Sequence, residues 1–86
     1  MIILSAAIGL SACNGNEEVD IPVSEVPSSI INVVQSALPG IKLSGAEKET
    51  KDNGVIYELE GKLINGKKYE LKIAADGTII KIKLDD

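Results

Sequence analysis

VIYELEGKLINGKKYELKIAADGTIIKIKL, residues 55–84, decides the fold, because it contains three segments in which every second residue is apolar. A period of two is typical of a β-strand with one buried face and one face in water. The turn sequences Asn65-Gly66 and Asp76-Gly77 separate these segments and favour hairpins. The sequence therefore predicts three consecutive antiparallel strands. The side chains predicted to lie on the buried face are Val55, Tyr57, Leu59, Gly61, Leu63, Tyr69, Leu71, Ile73, Ile80, Ile82 and Leu84.

The second turn allows a simple register. A two-residue loop at Asp76-Gly77 would pair Ala75 with Thr78 and Ile73 with Ile80. Continued along the strands, this register would place Leu71 opposite Ile82 and Tyr69 opposite Leu84. Each buried residue would then meet a buried residue, as a stable register requires.

The first turn requires a loop with an odd number of residues, since a two-residue loop would mix the two faces. A three-residue loop with Gly66 in the left-handed region would pair Leu63 with Lys67 and Gly61 with Tyr69. This register also places Glu60 opposite Glu70, a like-charge contact. The alternative shift, which pairs Lys62 with Glu70 and Glu60 with Lys72, is electrostatically better. We prefer the three-residue loop, because glycine supplies the positive φ and Tyr69 would cover the gap at Gly61.

A helix precedes these strands. Its apolar residues, spaced as on one face of an α-helix, are Ile30, Val33, Val34, Ala37 and Leu38. Pro27 suits the first turn, Ser24 or Ser28 is a candidate cap, and Pro39-Gly40 ends the helix. Residues 41–51 predict a polar strand at an edge of the sheet. The expected fold class is α+β, with one N-terminal amphipathic helix packed on a four-stranded antiparallel β-meander.

The N-terminal residues predict a lipoprotein signal. MIILSAAIGL is apolar and is followed by Ser11-Ala12-Cys13, and a polar, acidic stretch comes next. An apolar segment that ends in small residues is typical of a secretory signal, although no positive charge precedes it here. The stretch ending at Cys13 resembles the bacterial lipobox, whose cysteine carries a diacylglycerol. The alternatives are a transmembrane helix, for which the segment is about half the usual 20 residues, a buried N-terminal element and a free structural or redox cysteine.

The expected domain organisation follows from this signal. Residues 1–12 form a lipoprotein-type signal peptide, residues 13–25 a flexible acidic tether, and residues 26–86 a single small domain. Cys13 is the predicted lipidation site. The chain would then be attached through its lipid to a membrane of the bacterial cell envelope, and the outer membrane, facing the periplasm, is the favoured one.

Composition argues against several classes of function. The formal net charge is −4 and only two residues are aromatic, so the chain is unsuited to bind nucleic acid. It contains no histidine, which excludes Ser-His and Cys-His catalysis. Glu58 and Glu60 would share a strand face, but on an open sheet nothing separates their pKa values for acid–base catalysis. We therefore expect neither an enzyme nor a cofactor.

Two acidic turns resemble calcium loops only superficially. Asp52-Asn53-Gly54 and Asp76-Gly77-Thr78 place oxygen ligands beside glycine, but the regular series of ligands of a calcium-binding loop is absent. Both are interpreted as ordinary turns, and no metal ligand is predicted.

The face of the sheet away from the helix is the candidate binding surface. No second helix is predicted to cover it, and antiparallel sheets tolerate one face in water. An apolar row ringed by charges could bind a partner protein. The simpler interpretation is a solvated face with scattered apolar residues. The candidate partner-binding residues are Ile56, Glu58, Glu60, Lys72, Ala74, Ile79 and Lys81.

The order of these features resembles the PepSY-like domain, a family that includes β-lactamase-inhibitor-like bacterial lipoproteins. The residues that carry the resemblance are Pro27, the helix to Leu38, Pro39-Gly40, Tyr57-Glu58-Leu59, Tyr69-Glu70-Leu71 and Ala75-Asp76-Gly77. The resemblance covers residues 26–84 and consists of apolar positions and turns. Many such lipoproteins resemble tandem units, whereas this chain has one.

The resemblance implies a small domain that binds or inhibits an extracytoplasmic protein. We therefore expect a lipid-anchored protein-binding module that inhibits or regulates a peptidase or another envelope protein through the open sheet face. The alternative is an envelope domain that senses a small ligand or a metal and inhibits nothing.

Overall fold

Five antiparallel strands form one sheet in the computed structural model, which describes residues 17–85. The elements in chain order are β1 (Glu17–Ile21), a 3-10 helix (Val23–Glu25), α1 (Ser28–Ala37), β2 (Lys42–Lys51), β3 (Gly54–Lys62), β4 (Lys68–Ala74) and β5 (Ile79–Leu84). The strands lie side by side in the order β1-β2-β3-β4-β5. This part of the chain includes no helix that is long and apolar enough to cross a membrane.

The predicted fold, an N-terminal helix on four strands, is wrong in two respects. A fifth strand, β1, precedes the helix, and it comes from the segment that the sequence assigns to a tether. β2 pairs with β1 on one side and with β3 on the other, so it is not an edge strand. β1 escaped prediction because four of its five side chains are exposed. Backbone pairing with β2, rather than burial, holds it in the sheet.

The helix forms where the apolar period predicted it. Pro27 is its N-cap, and neither Ser24 nor Ser28 provides a side-chain cap. At the other end, the Gln35 side chain donates from Nε2 to the carbonyl of Ile41 (3.0 Å) and accepts from the N–H of Gly40 (3.1 Å). Gln35 therefore joins the end of α1 to the start of β2.

The hairpin between β3 and β4 confirms the preferred register. Gly61 lies opposite Tyr69, and Glu60 lies opposite Glu70. The Leu63 N–H donates to the carbonyl of Lys67 at 2.9 Å. Gly66 has a φ of 88°, in the left-handed region that favours glycine.

The hairpin between β4 and β5 differs from its prediction. The N–H of Ala74, not of Ala75, bonds to the carbonyl of Thr78, so the loop has three residues. Ile73 consequently lies opposite Ile79, and a bulge restores the predicted pairs farther along, including Leu71 with Ile82. The predicted two-residue loop is wrong because it assumed an unbroken register. The bulge allows one extra residue in β5 and so permits a longer loop.

The core lies between the helix and the two strands β3 and β4. The buried side chains are Val26, Ile30, Val34, Ile41, Tyr57, Leu59, Leu71 and Ile73. Leu59, Leu71 and Ile73 have no exposed surface, whereas apolar side chains on the same side of both edge strands remain exposed. The ten-residue helix therefore covers the middle of the sheet and leaves both edges open on the helix side.

Candidate functional site

The face of the sheet away from the helix carries charges that change sign from one edge to the other. One row of cross-strand partners runs over all five strands in the order Asp20, Glu47, Glu58, Lys72 and Lys81. The row is acidic at β1 and basic at β5. We call this surface the open face.

The acidic half of the open face brings three carboxylates together. Carboxylate oxygens of Glu18, Glu47 and Glu58 all lie within 4.8 Å of one another, which is close enough to share one metal ion. Burial, followed by repulsion from Glu18 and Asp20, raises the pKa of Glu47 above its ordinary value. Oxygen ligands of this kind suit calcium or magnesium, but exposed acidic groups are also common without an ion.

Glu58 is the most perturbed group of this cluster. A hydrogen bond with the Glu70 carboxyl group, reinforced by burial and by repulsion from Glu70, raises its pKa to about 7. The raised pKa favours the protonated form of Glu58 below about pH 7. The candidate carboxylate pair considered from the sequence was Glu58 with Glu60. The proximity of Glu18, Asp20 and Glu47 could not be predicted, because it depends on the unpredicted strand β1.

Six of the seven predicted partner-binding residues lie together on the open face. Ile56 lies opposite Ala74, Glu58 opposite Lys72, and Lys72 in turn opposite Lys81. Glu60 lies on the same strand face of β3, two residues from Glu58.

Ile79 does not belong to this surface, and that part of the prediction is wrong. Its cross-strand partner is the fully buried Ile73, so Ile79 lies on the helix side of the sheet. It borders a shallow depression together with Val33 and Ala37 of the helix. The cause is the three-residue loop between β4 and β5, which moves Ile79 to the other side. Only Ile56 and Ala74 remain of the predicted apolar row, and both are half-buried.

The edge strand β5 exposes four large apolar side chains, three of which (Ile80, Ile82 and Leu84) the sequence placed in the core. Its four large apolar side chains, which we call the β5 strip, are between 41% and 51% exposed. The strip consists of Ile79, Ile80, Ile82 and Leu84. Lys81 and Lys83, both exposed, extend from the other face of the strand. Within residues 17–85 no strand pairs with the outer edge of β5.

A cleft of about 640 Å³ lies at the end of the sheet where β2 begins and β3 ends. Leu43, Leu63 and Tyr69 line it around Gly61. A Cβ atom at Gly61 would lie 2.5 Å from the carbonyl oxygen of Lys42, so the close approach of β2 requires glycine here. The charged residues along the cleft are Lys42, Lys62, Lys68, Glu60 and Asp85. No sequence signal indicated this cleft, because a bulge in β2 shapes it.

Comparison with known proteins identifies no relative. Neither the family models, nor the curated proteins, nor the solved structures include a match to this chain. Cys13 and the signal segment 1–12 lie outside the described residues, so lipidation remains a prediction. The resemblance to PepSY-like domains also remains a prediction, because no family model matches the chain.

Proposed function

We propose that this chain is a protein-binding module of the bacterial cell envelope, anchored by lipid on Cys13, and that it binds its partner along β5. The observation that carries this proposal is the β5 strip, a row of four exposed apolar side chains on a strand that has no neighbour on its outer side within residues 17–85. Large apolar groups clustered on a surface favour a protein interface. This location replaces the centre of the open face, where charged side chains dominate.

The structure of β5 favours a partner that adds a strand. Natural edge strands are usually covered, shortened, bulged or charged, since their free N–H and C=O groups can pair with another chain. β5 has lysines on one face only, and its other face is apolar. An extended partner segment would pair with the backbone of β5 and bury the strip. The matching segment has carboxylates toward Lys81 and Lys83 and apolar side chains toward Ile82.

The anchor would keep the module close to the membrane. β1 begins at Glu17, only four residues after Cys13. Four residues of extended chain span roughly 14 Å at most. The resemblance to PepSY-like domains is the reason to seek the partner among peptidases and other envelope proteins, which the module would inhibit or regulate. No catalytic step and no cofactor are part of this function.

Site-specific photo-crosslinking of the full chain in bacterial cells tests this function. A photoreactive residue at position 82 should crosslink to a partner protein, since Ile82 lies in the β5 strip. Position 64 is the matched control, because Ile64 is also an exposed isoleucine, at 103% of its reference area, but lies in the loop before β4. Lys81→Glu with Lys83→Glu should weaken the crosslink at position 82. Equal crosslinks from positions 82 and 64, or none from position 82, would contradict the proposal.

The cleft around Gly61 favours a second candidate, the binding of a small anion with an apolar body. Its volume of about 640 Å³ is within the usual range for small-molecule sites, and three lysines border its apolar lining. Titration with decanoate, followed by NMR, should shift the amide signals of Gly61 and Leu63 before those of β5. Lys62→Glu should reduce these shifts. Signals that move equally throughout the chain would show non-specific binding.

A further inference from the structure

We propose that β1 of a second copy of this chain is the strand that pairs with β5, so that copies join edge to edge into one continuous sheet. This inference rests on the proposed function, which assigns β5 as the binding edge, and it names the partner of that edge. Within residues 17–85, β1 and β5 are the two edge strands of the sheet, and neither has a neighbour on its outer side.

The two edges have complementary charges on the open face. Glu18 and Asp20 extend from β1 on this face, because they lie opposite Glu49 and Glu47 of β2. Lys81 extends from β5 on the same face, opposite Lys72, and Lys83 lies opposite Glu70. Pairing of β1 with β5 would place two carboxylates beside two ammonium groups. Opposite charges on neighbouring strands stabilise a sheet.

The helix side of the two edges is largely apolar, and in β1 only the first residue, Glu17, places a charge there. Val19 of β1, which is 47% exposed, lies on this side because its cross-strand partner Lys48 lies opposite the buried Tyr57. Ile82 of β5 lies there opposite the buried Leu71. Charged and apolar side chains therefore alternate in the same way on both strands. β1 offers carboxylates on the open face and apolar side chains on the helix side, as required of the segment that pairs with β5.

Of the possible edge-to-edge pairings of two copies, only one places opposite charges together and apolar side chains together. If both copies keep their helices on the same side, β5 can meet β5 in antiparallel fashion, β1 can meet β1 likewise, or β5 can meet β1 in parallel. The first arrangement places lysines beside lysines, and the second places carboxylates beside carboxylates, both of which are unfavourable. If one copy is turned over, the charges of one edge meet the apolar side chains of the other. Only the parallel pairing of β5 with β1 avoids both conflicts.

The acidic half of the sheet gives this pairing an additional advantage. Glu18, Asp20, Glu47 and Glu58 lie together near β1, and the only salt bridge of residues 17–85 joins Glu49 to Lys51. Lysines supplied by a second copy would reduce the mutual repulsion of these carboxylates. The same acidic surface would weaken β1–β1 contact, which keeps the pairing specific.

The expected assembly is open-ended and weak. A contact between two different edges of identical chains repeats from copy to copy and does not close into a dimer. One added strand of five residues buries less surface than a stable interface, which needs about 1,000 Å² or more. Charge pairs at its rim make it sensitive to salt. Anchoring of the copies in one membrane would raise their local concentration and favour contact.

Disulfide crosslinking of the full chain in membranes discriminates the three arrangements. Two differently tagged copies are produced together, one with Val19→Cys and one with Ile82→Cys, and the unmodified chain controls for Cys13. Both positions are exposed and near the middle of their strands, so neither substitution should disturb the core. We expect the mixed 19–82 disulfide upon mild oxidation. A dominant 82–82 or 19–19 disulfide, or none, would overturn the inference.

A charge exchange provides an independent test. Lys81→Glu with Lys83→Glu, and separately Glu18→Lys with Asp20→Lys, should each reduce the mixed disulfide at least severalfold at low salt. Production of the two charge variants together should restore the mixed disulfide, because each acidic edge again meets a basic one. Failure of this restoration, or a mixed disulfide that no longer forms when a chelator is present during oxidation by a metal-free oxidant, would instead indicate another contact or an ion bridge and overturn the inference.

The outcomes also separate this inference from the proposed function. If position 82 crosslinks to a different protein and the 19–82 disulfide does not form, the inference is wrong, but the proposal that β5 binds a partner is supported. If the photoreactive residue at position 82 captures neither a second copy nor another protein, both fail.

Discussion

Leu71 and Ile82 lie opposite each other on neighbouring strands, on the same side of the sheet, yet Leu71 is fully buried and Ile82 is 43% exposed. The difference arises because the helix covers β4 at Leu71 but does not cover β5 at Ile82. Leu71 therefore contributes to the stability of the core, whereas Ile82 is accessible to a binding partner.

Leu71→Ala should reduce the free energy of unfolding by roughly 2–5 kcal/mol, because it leaves a cavity under the helix. For a domain of this size, that loss approaches the entire stability. Ile82→Ala, the matched control, should cost below about 1 kcal/mol, since its side chain is already partly in water. Urea denaturation followed by circular dichroism measures both. Equal losses for the two variants would show that the β5 strip is covered in the folded chain.

Gly61→Ala should destabilise the domain by about 1–3 kcal/mol or more, because its Cβ atom would lie 2.5 Å from the carbonyl oxygen of Lys42. Gly45→Ala is the control from the same bulged region. There the nearest atom is Cγ of Glu60 at 3.3 Å, at the surface on a flexible side chain, so the cost should stay within about 1 kcal/mol. Thermal unfolding compares the two variants, and an unaffected melting temperature for Gly61→Ala would mean that β2 is not close to β3 at this point.

The parts of the fold that depend on local chemistry could be predicted from the sequence. Gly66 supplies the positive φ of its turn, and this requirement favoured the loop length and the partner of Gly61 that the structure confirms. Pro39-Gly40 likewise ended the helix within two residues of its observed end. Such positions need no information from distant parts of the chain.

The parts that depend on distant elements could not be predicted. β1 has only Val19 and Ile21 as apolar residues, so nothing in its composition separates it from a solvated tether. The acidic cluster requires β1 beside β2, and it was missed for the same reason. Ile82 has the alternation of a buried residue, but its exposure depends on how far the helix extends over the sheet, which periodicity does not describe.

Cys13→Ser should abolish lipid labelling and release the chain from membranes, because the lipid is expected on the thiol of this cysteine. Asn16→Ser, close to Cys13, should leave labelling unchanged. Metabolic labelling with a lipid precursor and sedimentation of washed membranes provide the measurements. A Cys13→Ser chain that still sediments with membranes in high salt would refute the lipobox interpretation.

Stability should fall as pH rises from moderately acidic to neutral, because the pKa of Glu58 is about 7 in the folded chain against an ordinary 4.5. Between these two values the folded state binds more protons than the unfolded state, so the contribution of Glu58 to stability is present below 4.5 and is lost as pH approaches 7. Glu58→Gln keeps a neutral side chain at every pH and should flatten this dependence. Above pH 7, Glu58→Gln should therefore be more stable than the unmodified chain. Since Glu58 is only half-buried, solvent screening limits this difference in the free energy of unfolding to less than about 1 kcal/mol.

Glu60→Gln provides the control for this prediction, because it removes a carboxylate from the same strand and the same face. Its stability should keep the pH dependence of the unmodified chain. The measurement is the melting temperature at several pH values between 4 and 8 at constant ionic strength, where about 1 kcal/mol corresponds to a shift of several degrees. The hydrogen bond between Glu58 and Glu70 gives the physical reason for the slope, so the same slope in Glu58→Gln as in the unmodified chain would show that the carboxyl group of Glu58 does not cause this pH dependence.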